Sequence, residues 1–251
     1  MNAVYDLHCH STASDGALTP AGLVQRARQQ GVDYLALTDH DTTDGLVEAQ
    51  SSAKSANISL IPGIELSASW SHQCIHIVGL NIDPQYPPLC DGIGKLQSQR
   101  VERAKKIASK LEKKKIPGAF DAVSRSAGKG MITRTHFAEF LLSQNHISTL
   151  QEAFDRYLSR GKPAFVSTAW AATEDVVSWI TGSGGVAVLA HPLRYKLTAS
   201  KMRRLLSEFK EMGGQGIEVV SGRNNPDEIR ISANYAKKFG LSGSVGSDFH
   251  N

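Results

Sequence analysis

Short runs of β-branched and aliphatic residues alternate along this chain with stretches whose apolar positions recur every three to four residues. Seven of the short runs predict strands: 4–8, 34–38, 59–65, 75–79, 186–191, 216–220 and 241–246. Helical patterns fill intervals between them at 45–56, 173–183, 199–212 and 226–239. Between the first two runs Thr19-Pro20, a capping residue followed by proline at the first helical position, opens a further helix that stops near Gly31. Strands separated by helices in this way are parallel strands joined by crossovers, so the pattern predicts an α/β fold and a single barrel of β/α units.

One region breaks the rhythm. From 81 to 166 the chain opens with a proline-rich turn (Pro84, Pro87, Pro88) and continues as helices rich in Lys and Arg, at about 89–115, 133–143 and 150–160. It is expected to be a helical insertion, with the barrel contributed by 1–80 and 167–251. The chain stops at Asn251, immediately after a strand end where a barrel normally has a closing helix, so residues are expected to follow.

Composition narrows the class. A hydrophobic content of 41% with 21% charged residues is that of a globular protein, and 251 residues suffice for one barrel. The start lacks the basic and apolar stretches of a secretory signal, and no run is long enough to span a bilayer. Cys9, Cys74 and Cys90 are odd in number and include no CxxC pair, which favours a reducing compartment; a cytoplasmic protein with no membrane and no obligate protein partner is expected. The net charge of +4 is modest, so the placement of charge matters more than its sum.

That placement points to metal chemistry. His8 and His10 end the first strand with Asp15 just beyond, His40 follows the second, Glu65 ends the third, His76 starts the fourth, His191 ends another, and Asp248 and His250 follow the last. Strand ends are where barrel enzymes build their sites. Alternate residues of a strand share a face, so an H-x-H pair can grip one ion. A single histidine at a strand end more often caps the strand and bonds a neighbour. That account would have to place six of the nine histidines independently at matching positions near carboxylates. All nine residues, His8, His10, Asp15, His40, Glu65, His76, His191, Asp248 and His250, are therefore expected to be metal ligands. The mixture of imidazole and carboxylate suits Mn, Zn or Fe. So many ligands exceed one tetrahedral zinc, so two or three ions are expected, leaving a pocket that favours phosphate.

Asp6-Leu7-His8-Cys9-His10-Ser11, the run 37–42 (LTDHDT), Pro62-Gly63-Ile64-Glu65, Ala190-His191-Pro192 and Gly246-Ser247-Asp248-Phe249-His250 together resemble the PHP (polymerase and histidinol phosphatase) family over the whole chain. The resemblance implies a distorted (β/α)₇ barrel and three divalent ions, Mn first, with Zn, Fe or Mg as alternatives. Within the family, Arg100-Val101-Glu102-Arg103-Ala104, Thr133-Arg134-Thr135-His136-Phe137-Ala138, Ser159-Arg160-Gly161-Lys162 and His191-Pro192-Leu193-Arg194-Tyr195 resemble the nucleoside 3′,5′-bisphosphate phosphatases that also act as 5′→3′ exoribonucleases. This implies a nucleotide or RNA 5′ end as substrate. Arginine's planar fork holds phosphate through paired charge-assisted hydrogen bonds, and a second phosphate needs an anchor away from the metals. Arg100, Arg103 and Arg134 are expected to supply it, with His136, Lys162 and Arg194 assisting, and Asp15 and His40 touching substrate as well as metal. A lone helical arginine is otherwise a solvated surface charge.

In the expected mechanism a hydroxide bridging two ions attacks phosphorus in line, with no side chain as nucleophile. Three rivals stay open: a small-metabolite phosphatase of the histidinol phosphate kind, an amidohydrolase, which also begins with H-x-H, and a non-catalytic PHP module. Other features are read as structural: Lys113–Lys115 at a helix end, Gly182–Gly185 as a helix-to-strand turn, His72 and His146 at the surface, and Cys9 as packing.

Overall fold

The structure, a computed structural model, describes residues 3–128 and 130–251. Its sheet runs β1 (Tyr5–Asp6), β2 (Tyr34–Leu37), β3 (Ser59–Trp70), β4 (Gln73–Leu80), β6 (Val186–Leu189), β7 (Gly216–Ser221) and β8 (Ser242–Gly246) in that spatial order, with the short β5 (Ala171–Ala172) beside β3. Residues beyond β1 close it against β8 and the segment that follows: the Leu7 amide donates to Val245 O at 3.0 Å, and Cys9 bridges to Phe249. The seam is tight, because a Cβ on Gly246 would stand 2.4 Å from the Cβ of His8. The result is a nearly closed, distorted seven-stranded barrel.

Not every strand is parallel, as the alternation had suggested. β4 runs antiparallel to both β3 and β6. It follows β3 through a hairpin whose tip, Ser71 and His72, has φ of 48° and 62°, the doubly left-handed geometry that matches the twist of paired strands. Nor does Glu65 end its strand. β3 pairs with β2 from Ser59 to Pro62, then exchanges that neighbour for β4 and continues to Trp70, so Glu65 lies mid-strand.

Helices α1 (Pro20–Gln29), α2 (Leu46–Ala56), α7 (Thr173–Gly182), α8 (Ala199–Glu211) and α9 (Pro226–Phe239) surround the sheet. Their starts are chemically marked. Thr19 Oγ1 accepts from the Gly22 amide at 3.1 Å, and Asn225 and Glu228 form a reciprocal capping box before Pro226. Leu23, Val24, Leu35, Leu37, Ala49 and Ala53 make one packed layer on the β1–β2 side; Ile64, Leu66, Ile77, Val177, Ile180, Leu205 and Phe209 make the larger one. Inside the barrel Val78, Val188 and Ala190 form a small apolar plug. Polar side chains occupy the same inner faces farther along.

Between β4 and β5 stand α3 (Pro87–Glu112), α4 (Ala119–Ala127), α5 (Arg134–Ser143) and α6 (Leu150–Ala153), the last continuing as a π-helical turn over Phe154–Leu158. The sequence pattern missed α4 and extended the helix begun by α6 to 160. The first half of α3 packs on the barrel through Leu89, Ile93 and Leu96. From Ala104 onward a separate core forms, with Ile107, Leu111, Phe137, Leu141 and Leu158.

Candidate metal centre

The nine expected ligands come together at one end of the barrel. His8 and His10 leave β1 on the same side of the backbone, with Nε2 atoms 3.1 Å apart. Two nitrogens each ~2.1 Å from one ion would be separated by about 3.0–3.4 Å at ordinary coordination angles. Cys9 between them points the other way, into the β1–β2 core, where its thiol donates to Ala36 O at 3.1 Å.

Glu65 lies at the centre. One oxygen, Oε2, is 3.4 Å from the Nε2 atoms of both His8 and His10 and 2.8 Å from His40 Nδ1. The other, Oε1, is 3.0 Å from His76 Nδ1 and 2.9 Å from His191 Nε2. The reversed β4 explains why His76, near the start of its strand, arrives where parallel strands end. Asp248 Oδ1 approaches His8 and His10 at 3.4 and 3.2 Å, while Asp15 Oδ1 faces His250 Nε2 at 3.4 Å and His40 Nε2 at 3.9 Å. Asp41, His191 and Asp248 hold left-handed backbones with φ of 50°, 29° and 49°, conformations that cost non-glycine residues energy and concentrate at functional sites.

Three overlapping groups could each hold an ion: His10, Asp15, His40 and His250; His8, His10 and Glu65; His40, Glu65 and His76. A second observation fits a divalent metal. Asp15 Oδ1, Glu65 Oε2 and His40 Nδ1 are sealed from solvent, and although the last two stand 2.8 Å apart, none of the three makes a hydrogen bond among the described residues, a state that buried polar atoms avoid unless something else satisfies them. The electrostatics agree. Burial opposes ionisation of Glu65, yet the surrounding His40, His76 and His8 hold its carboxyl well below the usual range. Burial together with His250 and His40 pushes His10 down to about 4, leaving its lone pair free, whereas Asp15 and Asp248 overcome burial to push His250 up to about 9.

The shell around these residues includes groups that the strand-end pattern did not reveal. Glu218, on the inner face of β7, accepts from His8 Nδ1 at 2.8 Å and from the His191 amide at 2.5 Å. A charged residue inside the apolar run of β7 was its visible signal. Asp39 ties down the loop that bears Asp15 by accepting from the Ser11 amide, Ser11 Oγ and Ser14 Oγ, each at 2.7 Å. Thr133 and Thr135, at the start of α5, donate their hydroxyls to Asp15 Oδ2 at 2.7 and 2.8 Å. Through these bonds the inserted helices meet the ligand cluster.

The arginines separate into two places. Arg100 is buried, donating from Nε to Asp41 at 2.5 Å and from Nη2 to Ser67 Oγ at 2.9 Å. It shares the Trp170 ring with Arg103, their guanidinium carbons standing 5.4 and 5.5 Å from its centre. Arg134, at the start of α5, stands over the Phe154 ring with its guanidinium carbon 5.8 Å from the centre, and its charge and those of Arg100 and Arg103 oppose one another. Arg194 lies elsewhere, paired with Asp248 at the edge of the ligand cluster. His136 is buried, and its Nδ1 accepts from the Thr133 amide at 3.1 Å in the α5 cap. Lys162 is exposed.

Residues 6–219 match the PHP domain model. The chain belongs to the PHP domain family. It is 46% identical over 250 residues to a 5′-3′ exoribonuclease of Haemophilus influenzae, covering 100% of this chain and 91% of that one. It is 45% identical over 246 residues to a 3′,5′-nucleoside bisphosphate phosphatase of Chromobacterium violaceum, covering 98% and 86%. A solved structure described as an amidohydrolase from the same organism, with bound sulfate and no metal, superposes on this PHP domain with a TM-score of 0.96 at 45% identity, covering 99% of this chain and 88% of that one. Among the described residues of this PHP domain, no helix is long and apolar enough to cross a membrane.

Proposed function

We propose that this PHP domain is a metal-dependent phosphoesterase that removes the 3′-phosphate of nucleoside 3′,5′-bisphosphates and releases nucleotides from the 5′ ends of RNA. The observation that carries the reading is a cluster of three arginines next to the ligand cluster in which Asp41 matches Arg100 alone among the described residues. Arg103 is pushed down to about 9 by burial and by Arg134 and Arg100, and burial also disfavours charge on Arg134. Among the described residues neither is paired with a carboxylate, so a bound phosphate would supply the missing anion. Ser67 lies two residues beyond Glu65 on the same face of β3, a step of about 6.8 Å, so Arg100 stands one step from the ligands. Such an arrangement suits a substrate with two phosphates, the kind that the name of the Chromobacterium violaceum relative gives for that protein.

Three divalent ions, manganese first, would be held by the nine residues His8, His10, Asp15, His40, Glu65, His76, His191, Asp248 and His250. When bound, such ions neutralise charge on the phosphoryl oxygens and make water acidic near neutrality. The protein's own groups do the rest. Arg100, Arg103 and Arg134 would grip the 5′-phosphate and place the 3′-ester over the ligand cluster, and effective molarity gained by such positioning is a large part of catalysis. Glu218 fixes the ring of His8, so that Nε2 faces the centre. Three free thiols suit a reducing compartment, and the reading places the enzyme in the cytoplasm.

The test compares turnover of adenosine 3′,5′-bisphosphate with that of adenosine 3′-monophosphate before and after Arg134→Ala. A charge-assisted contact contributes about 1.5–3 kcal/mol, so the preference for the bisphosphate should fall roughly 10- to 100-fold. An unchanged preference removes the anchoring role. A wild-type enzyme that prefers small phosphate monoesters lacking a second phosphate would instead favour the histidinol phosphate type of activity.

A further inference from the structure

The row of cations on α3 continues past the arginine cluster. Arg100, Arg103 and Lys106 stand at i, i+3 and i+6, so each step advances about 4.5 Å along the axis and turns about 60° around it. The row leads away from the ligands: Gln97 donates to Asp41 O near the cluster, whereas Lys110, farther along α3, reaches Phe165 O. On the flank towards which the row turns lies a cavity of about 340 Å³, bounded by Gln99, Glu102, Arg103, Lys106, Ser167 and Thr168. Arg103 thus belongs both to the cluster and to this cavity.

The cavity is lined with unused polar capacity. Arg103 Nε, Thr168 Oγ1 and Gln99 Oε1, on side chains that border it, are all sealed from solvent without a hydrogen-bond partner among the described residues. Buried donors and acceptors left open in this way cost free energy that a fitting ligand would recover. The one carboxylate at the rim, Glu102, is held by Lys105 at 2.7 Å and also feels Lys106, but no carboxylate of the described residues forms an ion pair with Lys106.

We infer that this cavity is a subsite for a second 5′-phosphoryl group, so that nucleosides and RNA ends carrying a 5′-diphosphate are bound as well as those carrying a 5′-monophosphate. This rests on the functional reading above for the placement of the first phosphate. With a rotation of the two side chains towards the cavity they line, Arg103 Nε–H and the Thr168 hydroxyl donate to oxygens of the outer phosphoryl group, and the Lys106 ammonium balances its charge. Gln99 Oε1 accepts from a protonated phosphate oxygen or from a water carried with it. The pyrophosphate bond is held and not broken, and hydrolysis stays at the 3′ ester over the ligand cluster.

Calorimetric binding of adenosine 5′-diphosphate and 5′-monophosphate to the metal-loaded protein tests the subsite, with Lys106→Ala and Thr168→Val as separate variants. The diphosphate should bind about tenfold more tightly to the wild type, as expected for one added charge-assisted contact. Lys106→Ala should bring the two ligands to within about twofold, leaving monophosphate affinity unchanged, and Thr168→Val should do part of the same. Equal affinities in the wild type overturn the inference. So does a diphosphate advantage that survives both substitutions, since the outer phosphate would then be chelated by the ions. Digestion of RNA bearing a 5′-mono- or 5′-diphosphate separates the two claims: failure on both ends sinks the functional reading while the binding comparison still decides the subsite, and failure on the diphosphate end alone sinks the subsite.

Discussion

The ligand cluster in the barrel and the arginine cluster on the inserted helices solve opposite electrostatic problems with opposite supports. In the barrel, carboxylates and imidazoles face one another, and Glu65 alone touches five histidine rings. Their side chains are carried by strands of one hydrogen-bonded sheet and by the short segments just beyond those strands. On the insertion, Arg100, Arg103 and Arg134 gather on α3 and α5 against Trp170 and Phe154, and among the described residues only Arg100 of the three has an acid. Those helices pack partly into a core of their own. The barrel site is short of cations and the inserted site is short of anions. A substrate with phosphate at both ends, bound together with divalent ions, satisfies both at once.

The sharpest way to break this contrast is to remove a barrel ligand. Asp248→Ala or His10→Ala should lower kcat/KM by about 10³-fold or more and reduce the metal retained after dialysis, measured by elemental analysis. A variant that keeps full activity with no bound metal would defeat the metal centre. Asp41→Ala attacks the support of the other site, stranding the buried Arg100 guanidinium, and removal of one partner from a buried pair destabilises by ~3–5 kcal/mol. Urea unfolding measures it, and a loss under about 1 kcal/mol would mean that Arg100 finds water instead.

Next in size is Glu218→Gln. It weakens the hold on His8 while preserving shape, and partners of metal ligands typically change metal affinity by about 10- to 100-fold. Titration with a competing chelator reads the change, and unaltered affinity would reduce Glu218 to a packing residue. Smallest is Thr19→Ala, far from either cluster, which removes the cap of α1 and should cost about 1 kcal/mol with activity intact. Any loss of metal in that variant would show that the barrel site depends on helices as much as on strands.

Much of this could be read along the chain. Thr19-Pro20 marked a helix start because a cap is a bond between residues three apart. His8 and His10 shared a side because alternation is a property of one strand. The reversal of β4 was not readable: an apolar run reads the same in either direction, and only its neighbours β3 and β6 determine how it pairs. Arg194 resembled the other arginines in sequence, yet it pairs with Asp248, 54 residues away.

Periodicity, capping and spacing depend on contacts within a few residues, so the sequence alone determined the number and kind of most elements and the identity of the charged side chains at their ends. Which charges face each other depends on closing the barrel. Glu218 meets His8 across 210 residues, and Arg100 meets Asp41 across 59. Whether a charged group ends up matched, as Arg100 does, or unmatched, as Arg103 and Arg134 do, follows from packing between distant segments, so only the tertiary structure could decide it.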